Sequence, residues 1–422
     1  MLIDKNYHHD IISNLPECLR MAILTCLPLL EAVRTSVLSS NWKYTWTKLS
    51  HIKLDDTLWP ERSVSEDSAF LTCVRGIFHI VLNHEGPINQ VTIALSKLKD
   101  CPEIDNLLLI LSKSDVEVLT LDIQADRCLL PSSFFRCKNL KHVALYSYQV
   151  HLPPNFTGFN QLITLKMNLV SIGSEQLASL VSSCPLLEHL RLKTSSTYTY
   201  ESLEIHAPKL KHFKFLSRIK DICFKNSPVL KEVWVVDCMM IGQHSISGYS
   251  KVVEFFGSLP ALQLICVDYS FTKCIASGGV PARPSLTAVH LDAVRLSGFC
   301  LEKTVGMAFV LFLLRIAPNL QDITIFLADS HDAVFAQSPL HSLDVEEYSD
   351  VKLDKLRMVN LRRFTGARNQ MRLAKLLLIK SPVLKKMIIK ANTKVCTEKQ
   401  LLILKELVRF PRPSQMAEID YS

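Results

Sequence analysis

A three-point apolar spacing governs most of this chain. A leading residue, often proline, is followed by apolar residues two, five and seven positions on, as in Pro185, Leu187, Leu190 and Leu192. The spacing returns from Pro208 (Leu210, Phe213, Phe215), Pro228 (Leu230, Val233, Val235), Pro260 (Leu262, Ile265, Val267), Pro284 (Leu286, Val289, Leu291), Pro318 (Leu320, Ile323, Ile325) and Pro382 (Leu384, Met387, Ile389). Leu140/Val143/Leu145 and Leu162/Leu165/Met167 keep the triplet without the proline. Apolar residues two apart mark one face of a strand. A unit this short, recurring every twenty to thirty-odd residues, buries that face only by stacking on its neighbours. The pattern therefore predicts an α/β leucine-rich solenoid, a chain built to present a surface.

Composition removes other classes. With 12 glycines and neither GxGxxG nor Gly-Lys-Ser/Thr, phosphate-cradling loops are not expected. There is no HExxH and no GxSxG, and the 14 histidines are dispersed, so no catalytic residue, metal site or cofactor is expected. The 13 cysteines are odd in number and never form CxxC, which argues against a disulfide framework and structural zinc and for a reducing cytoplasm or nucleus. Met1–Lys5 carries no signal-type apolar stretch, and the apolar run Met307–Leu314 stops at Arg315, short of the roughly 18–20 residues a bilayer span needs. No membrane association is expected, and the sequon at Asn155 is read as chance. The +8 formal charge is concentrated: from Leu353 onward 16 Lys/Arg face five acids, about +11 in all.

Residues 10–56 differ from the rest. Ser13-Asn14 is placed to cap a helix beginning near Pro16, with Leu19, Ile23 and Leu24 on adjoining faces and Leu27-Pro28 ending it. A second helix is expected over Glu31–Val37, and a third from Ser39-Ser40 carries Trp42 and Trp46 on one face. Residues 1–9, with His8 and His9, read as a disordered tail and 57–66 as a linker. The solenoid is assigned to 67–352, with helical patterns such as Phe70/Val74/Ile77/Val81 and Ile104/Leu107/Leu108/Leu111. Between Tyr198 and Val235 there is no room for full helices. The last segment, 353–422, pairs a helix (Asn369–Lys380) with a strand (Leu384–Ile389). A capping box at Thr397–Gln400 then opens a helix to Arg409, and Ala417–Tyr421 is placed to return as an edge strand.

Ile12-Ser13-Asn14-Leu15-Pro16-Glu17, Leu27-Pro28, Glu31–Ser39 and Trp42-Lys43-Tyr44-Thr45-Trp46 resemble the F-box of plant F-box/FBD/LRR-repeat proteins. Lys380–Met387 and Leu404–Arg412 resemble the same family's FBD region. The resemblance implies a three-helix F-box, an irregular leucine-rich-repeat solenoid and an FBD cap. It further implies a non-catalytic, substrate-recruiting subunit of an SCF-type cullin–RING ubiquitin ligase, docked on a Skp-class adaptor and binding a protein target of unknown identity. Leu15, Pro16, Leu27, Pro28, Val33, Val37, Trp42 and Trp46 match family positions that make or support the docking face. Two departures stand out: Arg20 replaces an apolar residue, and Ser40-Asn41 replaces a basic pair. A scaffold with a decayed F-box is therefore one alternative.

Along each strand the residues between the buried pair face the concave side. Arg191, Lys193 and Lys214, with Trp234 beside them and His290 further on, are the candidate receptor for an acidic or phosphorylated target segment. Nucleic-acid binding through the basic tail is the other alternative, although Phe364, Phe410 and Tyr421 are not spaced as a stacking platform.

Overall fold

The computed structural model describes residues 11–59, 66–96, 102–123, 128–194, 199–237, 251–328 and 348–422. The expected tail 1–9 and most of the expected linker, 60–65, lie outside them. The chain divides into two compact units, Met1–Ile172 with Ser183–Leu186, and Gly173–Ser182 with Leu187–Ser422.

The first unit opens with helices α1 (Glu17–Thr25) and α2 (Leu29–Arg34) and 3-10 turns at Thr35–Val37 and Thr45–Lys48. It continues through β1 (His51–Asp55), α3 (Glu66–Leu82), β2 (Gln90–Ala94), α4 (Glu103–Leu111), β3 (Val118–Asp122), β4 (Cys128–Leu129), β5 (His142–Tyr146), β6 (Tyr148–Gln149) and β7 (Thr164–Asn168). Strands β1, β2, β3, β5 and β7 run parallel in constant register, aligning Ile52, Val91, Leu119, Val143 and Leu165. The triplet spacing explains this: the same two positions of every strand turn inward, so each unit adds one rung to a continuous apolar column.

The second unit carries α5 (Ser174–Ser182), β8 (His189–Lys193), β9 (Thr199–His206), β10 (His212–Phe215), β11 (Arg218–Lys225), β12 (Glu232–Val235), α6 (Val252–Gly257), β13 (Leu264–Asp268) and α7 (Tyr269–Ile275). It ends with β14 (Ala293–Phe299), α8 (Thr304–Ile316), β15 (Asp322–Leu327), β16 (Met358–Phe364), α9 (Arg368–Lys380), β17 (Lys386–Ala391), α10 (Thr397–Arg409) and β18 (Glu418–Tyr421). One column of this ladder is Leu190, Phe213, Val233, Ile265, Val294, Ile323, Val359 and Met387, in register. Every member of it is buried. The apolar run in α8 packs in this core, where Phe312 meets Phe256 at 5.6 Å between ring centroids. Among the described residues no helix is long and apolar enough to cross a membrane.

Several expectations are corrected. The helix α1 is capped at Pro16, not by Ser13 or Asn14, and without a side-chain bond. The third head helix is absent; Ser39–Tyr44 forms turns that lead into the 3-10 turn at Thr45–Lys48. The unit placed at Pro284 is shifted by five residues: Leu291, Val294 and Leu296 fill the core positions, while Val289 is exposed. The proline misled, because this unit carries Val289 at the leading position. Two units escaped notice for the same reason, Leu49/Ile52/Leu54 and Leu356/Val359/Leu361, all buried. The capping box does not form; the cap of α10 is Cys396, and Gln400 donates instead to the Val395 carbonyl. Between β8 and β12 the missing helices are replaced by β9 and β11, which pair in parallel as a second small sheet.

Candidate functional site

The head is held together from inside. Trp42 and Trp46 are 2% and 5% exposed, so they support the head's surface without forming it. The Trp42 indole Nε1 donates to the Ile12 carbonyl at 3.2 Å, and Asn41 Nδ2 donates to the Ser13 carbonyl at 2.9 Å. These bonds tie the entry turn to the segment before the 3-10 turn. Lys48 and Glu17 add an ion pair at 2.6 Å, and the hydrogen bond from Lys48 holds the Glu17 carboxyl below the usual carboxylate range.

The two departures from the family pattern meet each other. The Arg20 guanidinium donates to the Asn41 carbonyl, which also accepts from the Thr45 hydroxyl at 2.9 Å. Arg20 is only half-exposed. Its charge is thus engaged within the head, bracing α1 against the tryptophan-bearing segment.

The outward side is apolar. On α1, Leu19 and Ile23 stand four residues apart, hence on one helix face, and are 50% and 41% exposed. Leu27, Val37 and Leu38 are exposed too, as are Pro16 and Pro28. Of the sequence-derived docking set, Pro16, Leu27, Pro28 and Val37 are exposed, Leu15 and Val33 half-buried, and the tryptophans buried. Leu19, Ile23 and Leu38 were missed as surface residues. The i, i+4 pairing of Leu19 and Ile23 was the available signal, but a sequence alone did not say which side of α1 lies inward.

In the second unit the concave positions of β8, β10 and β12 come together. Arg191, Lys214 and Trp234 are direct register partners, and Lys193 lies two residues beyond Arg191 on the same strand face. The Lys214 ammonium sits 4.5 Å from the Trp234 ring centroid, a cation–π contact. The Trp234 Nε1 is buried and finds no acceptor. One rung earlier, His189 and His212 stack at 4.6 Å with planes 7° apart, and His212 Nδ1 lies 3.2 Å from Glu232. Burial first, and then His212, hold the His189 pKa below its ordinary value. His290 does not join this cluster; it lies in the turn before β14, a consequence of the register shift at Pro284. Asp268 is buried and caps α7 by accepting from the Phe271 N–H at 2.7 Å. Among the described residues no group of His, Cys, Asp and Glu is arranged to hold a metal ion.

The F-box domain family matches residues 12–54. The LRR repeats of FBD-associated F-box protein At5g56370 match residues 104–325. The Arabidopsis thaliana F-box/FBD/LRR-repeat protein At1g13570 is 31% identical, over 97% of this chain and 98% of its own length. The FBD-associated F-box protein At5g56370 of the same plant is 24% identical, over 97% of this chain and 99% of its own. Head, stacked repeats and end-to-end similarity agree, and the chain belongs to the plant F-box/FBD/LRR-repeat family.

Proposed function

We propose that this protein is the substrate-recruiting subunit of an SCF-type cullin–RING ubiquitin ligase, working in the cytoplasm, the nucleus or both. An F-box implies binding of a Skp-type adaptor in general, and family members are typically non-catalytic. The finer reading assigns 10–56 to docking, 67–352 to target binding and 353–422 to the cap. The transfer chemistry belongs to the conjugating enzyme, and this chain supplies proximity, raising the target's effective concentration beside it.

The observation that carries the reading is the division of labour in the head: its tryptophans are spent inside while Leu19, Ile23, Leu27 and Val37 face water. Covering such half-exposed apolar side chains in an interface stabilises it by about 1 kcal/mol each. Arg20 supports the docking reading over a decayed head, because its guanidinium turns to the Asn41 carbonyl within the head. Some tail cations that motivated a nucleic-acid reading are likewise engaged, Lys386 with Asp420 and Arg409 with Glu406.

The test is co-expression of the full chain with a plant Skp-class adaptor and a cullin. A stoichiometric ternary complex on gel filtration is the expected outcome. A folded chain that elutes alone removes the ligase assignment and leaves the scaffold.

A further inference from the structure

From the concave face of the second unit we infer that the target segment is a run of carboxylates in extended conformation, seated across the strands between Lys214 and Arg295. This rests on the chain being a recruiter of protein targets, and it names the chemistry of what is recruited.

The central row of that face runs Arg191, Lys214, Trp234, Cys266 and Arg295, each the register partner of the next. No member is a carboxylate. Among the described residues none of the three cations has an ion-pair partner, whereas Lys211 and Lys220, whose side chains lie elsewhere in the unit, pair with Glu188 and Glu201. Glu232, on the same strand as Trp234, faces His212; Asp268 caps a helix; and Asp322, on the strand beside Arg295, accepts from the Thr324 hydroxyl at 3.4 Å. Arg295 and Lys214 both act on the buried Cys266 thiol. Burial pushes that thiol up to about 12; Arg295 works against the rise, the Asp268 carboxylate adds to it, and Lys214, more weakly, opposes it. Cys266 and Trp234 thus lie in the row between the two cations, with the helix-capping Asp268 two residues beyond Cys266.

The spacing selects the ligand. Neighbouring strands lie about 4.8 Å apart, so Lys214 and Arg295, three strands apart, are separated by roughly 14 Å, and Arg191 by roughly 19 Å from Arg295. An extended peptide advances about 3.4 Å per residue, so carboxylates four residues apart span the two poles and fall on the same side of the peptide. A single phosphoryl group needs several donors converging on one point, and here the cations are strung along a line. Lys214 is also drawn onto the Trp234 ring, which suits one carboxylate per cation.

The experiment uses the full chain and a fluorescein-labelled octaglutamate peptide, read by fluorescence anisotropy at fixed salt. Lys214→Glu and Arg295→Glu should each weaken binding at least tenfold. The same reversal in the tail, Lys405→Glu with Arg412→Glu, should change it less than twofold. Equal loss from the tail reversal, or no loss from the concave variants in chains that keep their circular dichroism, overturns the inference. A neutral peptide with one phosphoserine that binds as tightly as octaglutamate also overturns it. Adaptor co-elution, measured on the same variants, is expected to be unchanged. Loss of peptide binding with adaptor binding intact thus speaks only to the target site, and the converse only to the head.

Discussion

Removing the two outward side chains of α1 separates docking from folding. Leu19 is 50% and Ile23 41% exposed in the free chain. Full burial of such a side chain stabilises by about 1.5–3 kcal/mol, so roughly half of that, about 1 kcal/mol each, is left for a partner to gain. Leu19→Ala with Ile23→Ala should therefore weaken adaptor binding by about 2 kcal/mol, on the order of 30-fold in Kd. Trp42→Ala is the opposite case. It is 2% exposed and bonded to the Ile12 carbonyl, so its loss should destabilise the head by about 3–5 kcal/mol. Titration calorimetry against a purified Skp-class adaptor, paired with thermal melts, reads both. The double alanine variant should retain its melting profile and lose affinity, and the tryptophan variant should lose the profile itself. A double variant that binds within twofold of the unaltered chain refutes the assignment of this face.

Three further outcomes are open to direct measurement. Val294→Ala, at a fully buried strand position, should cost about 2 kcal/mol, and Val289→Ala, 48% exposed, under about 0.5 kcal/mol; denaturant titration that ranks them equal contradicts the shifted register. Gly158 has φ +93° and lies against the Ser183 carbonyl, so Gly158→Ala should destabilise by at least about 1 kcal/mol, visible as a lowered melting temperature of the whole chain. Burial pushes the Cys73, Cys137 and Cys184 thiols up to about 11 and Cys266 to about 12, whereas Cys18, Cys26 and Cys396 are exposed. Alkylation at pH 8 followed by mass spectrometry should label the exposed set and spare the buried one; labelled Cys266 in native protein would contradict the packing.

Much of the ladder was legible because a solenoid repeats one local rule. Wherever a proline and three apolar residues coincided, the register came out as read, with Pro284 the exception. There Leu286, Val289 and Leu291 satisfied the same spacing as the true set, Leu291, Val294 and Leu296, and only stacking against Ile265 and Ile323 decides between them. That information lies in neighbouring units, outside any local window. The head shows a different limit. Its resemblance to an F-box implied an adaptor-binding knob, but the inward turn of Trp42 and the outward turn of Leu19 depend on how α1 meets the 3-10 turn. The concave cluster was half visible: alternation placed Arg191, Lys214 and Trp234 on one face, while Arg295 was hidden by the misplaced unit before it. His290 was misassigned by the same error.

The replacement of helices by β9 and β11 bears on geometry at the target face. A helix is about 10 Å wide and a strand pair about 4.8 Å apart, so repeats backed by helices must fan outward, their inner edges crowding together. Where both layers are built of strands, as from β8 to β12, the two edges have the same pitch and nothing forces the repeats to fan. Arg191, Lys214 and Trp234 follow one another in register across that stretch, which favours a ligand laid along them over one gripped at a single point.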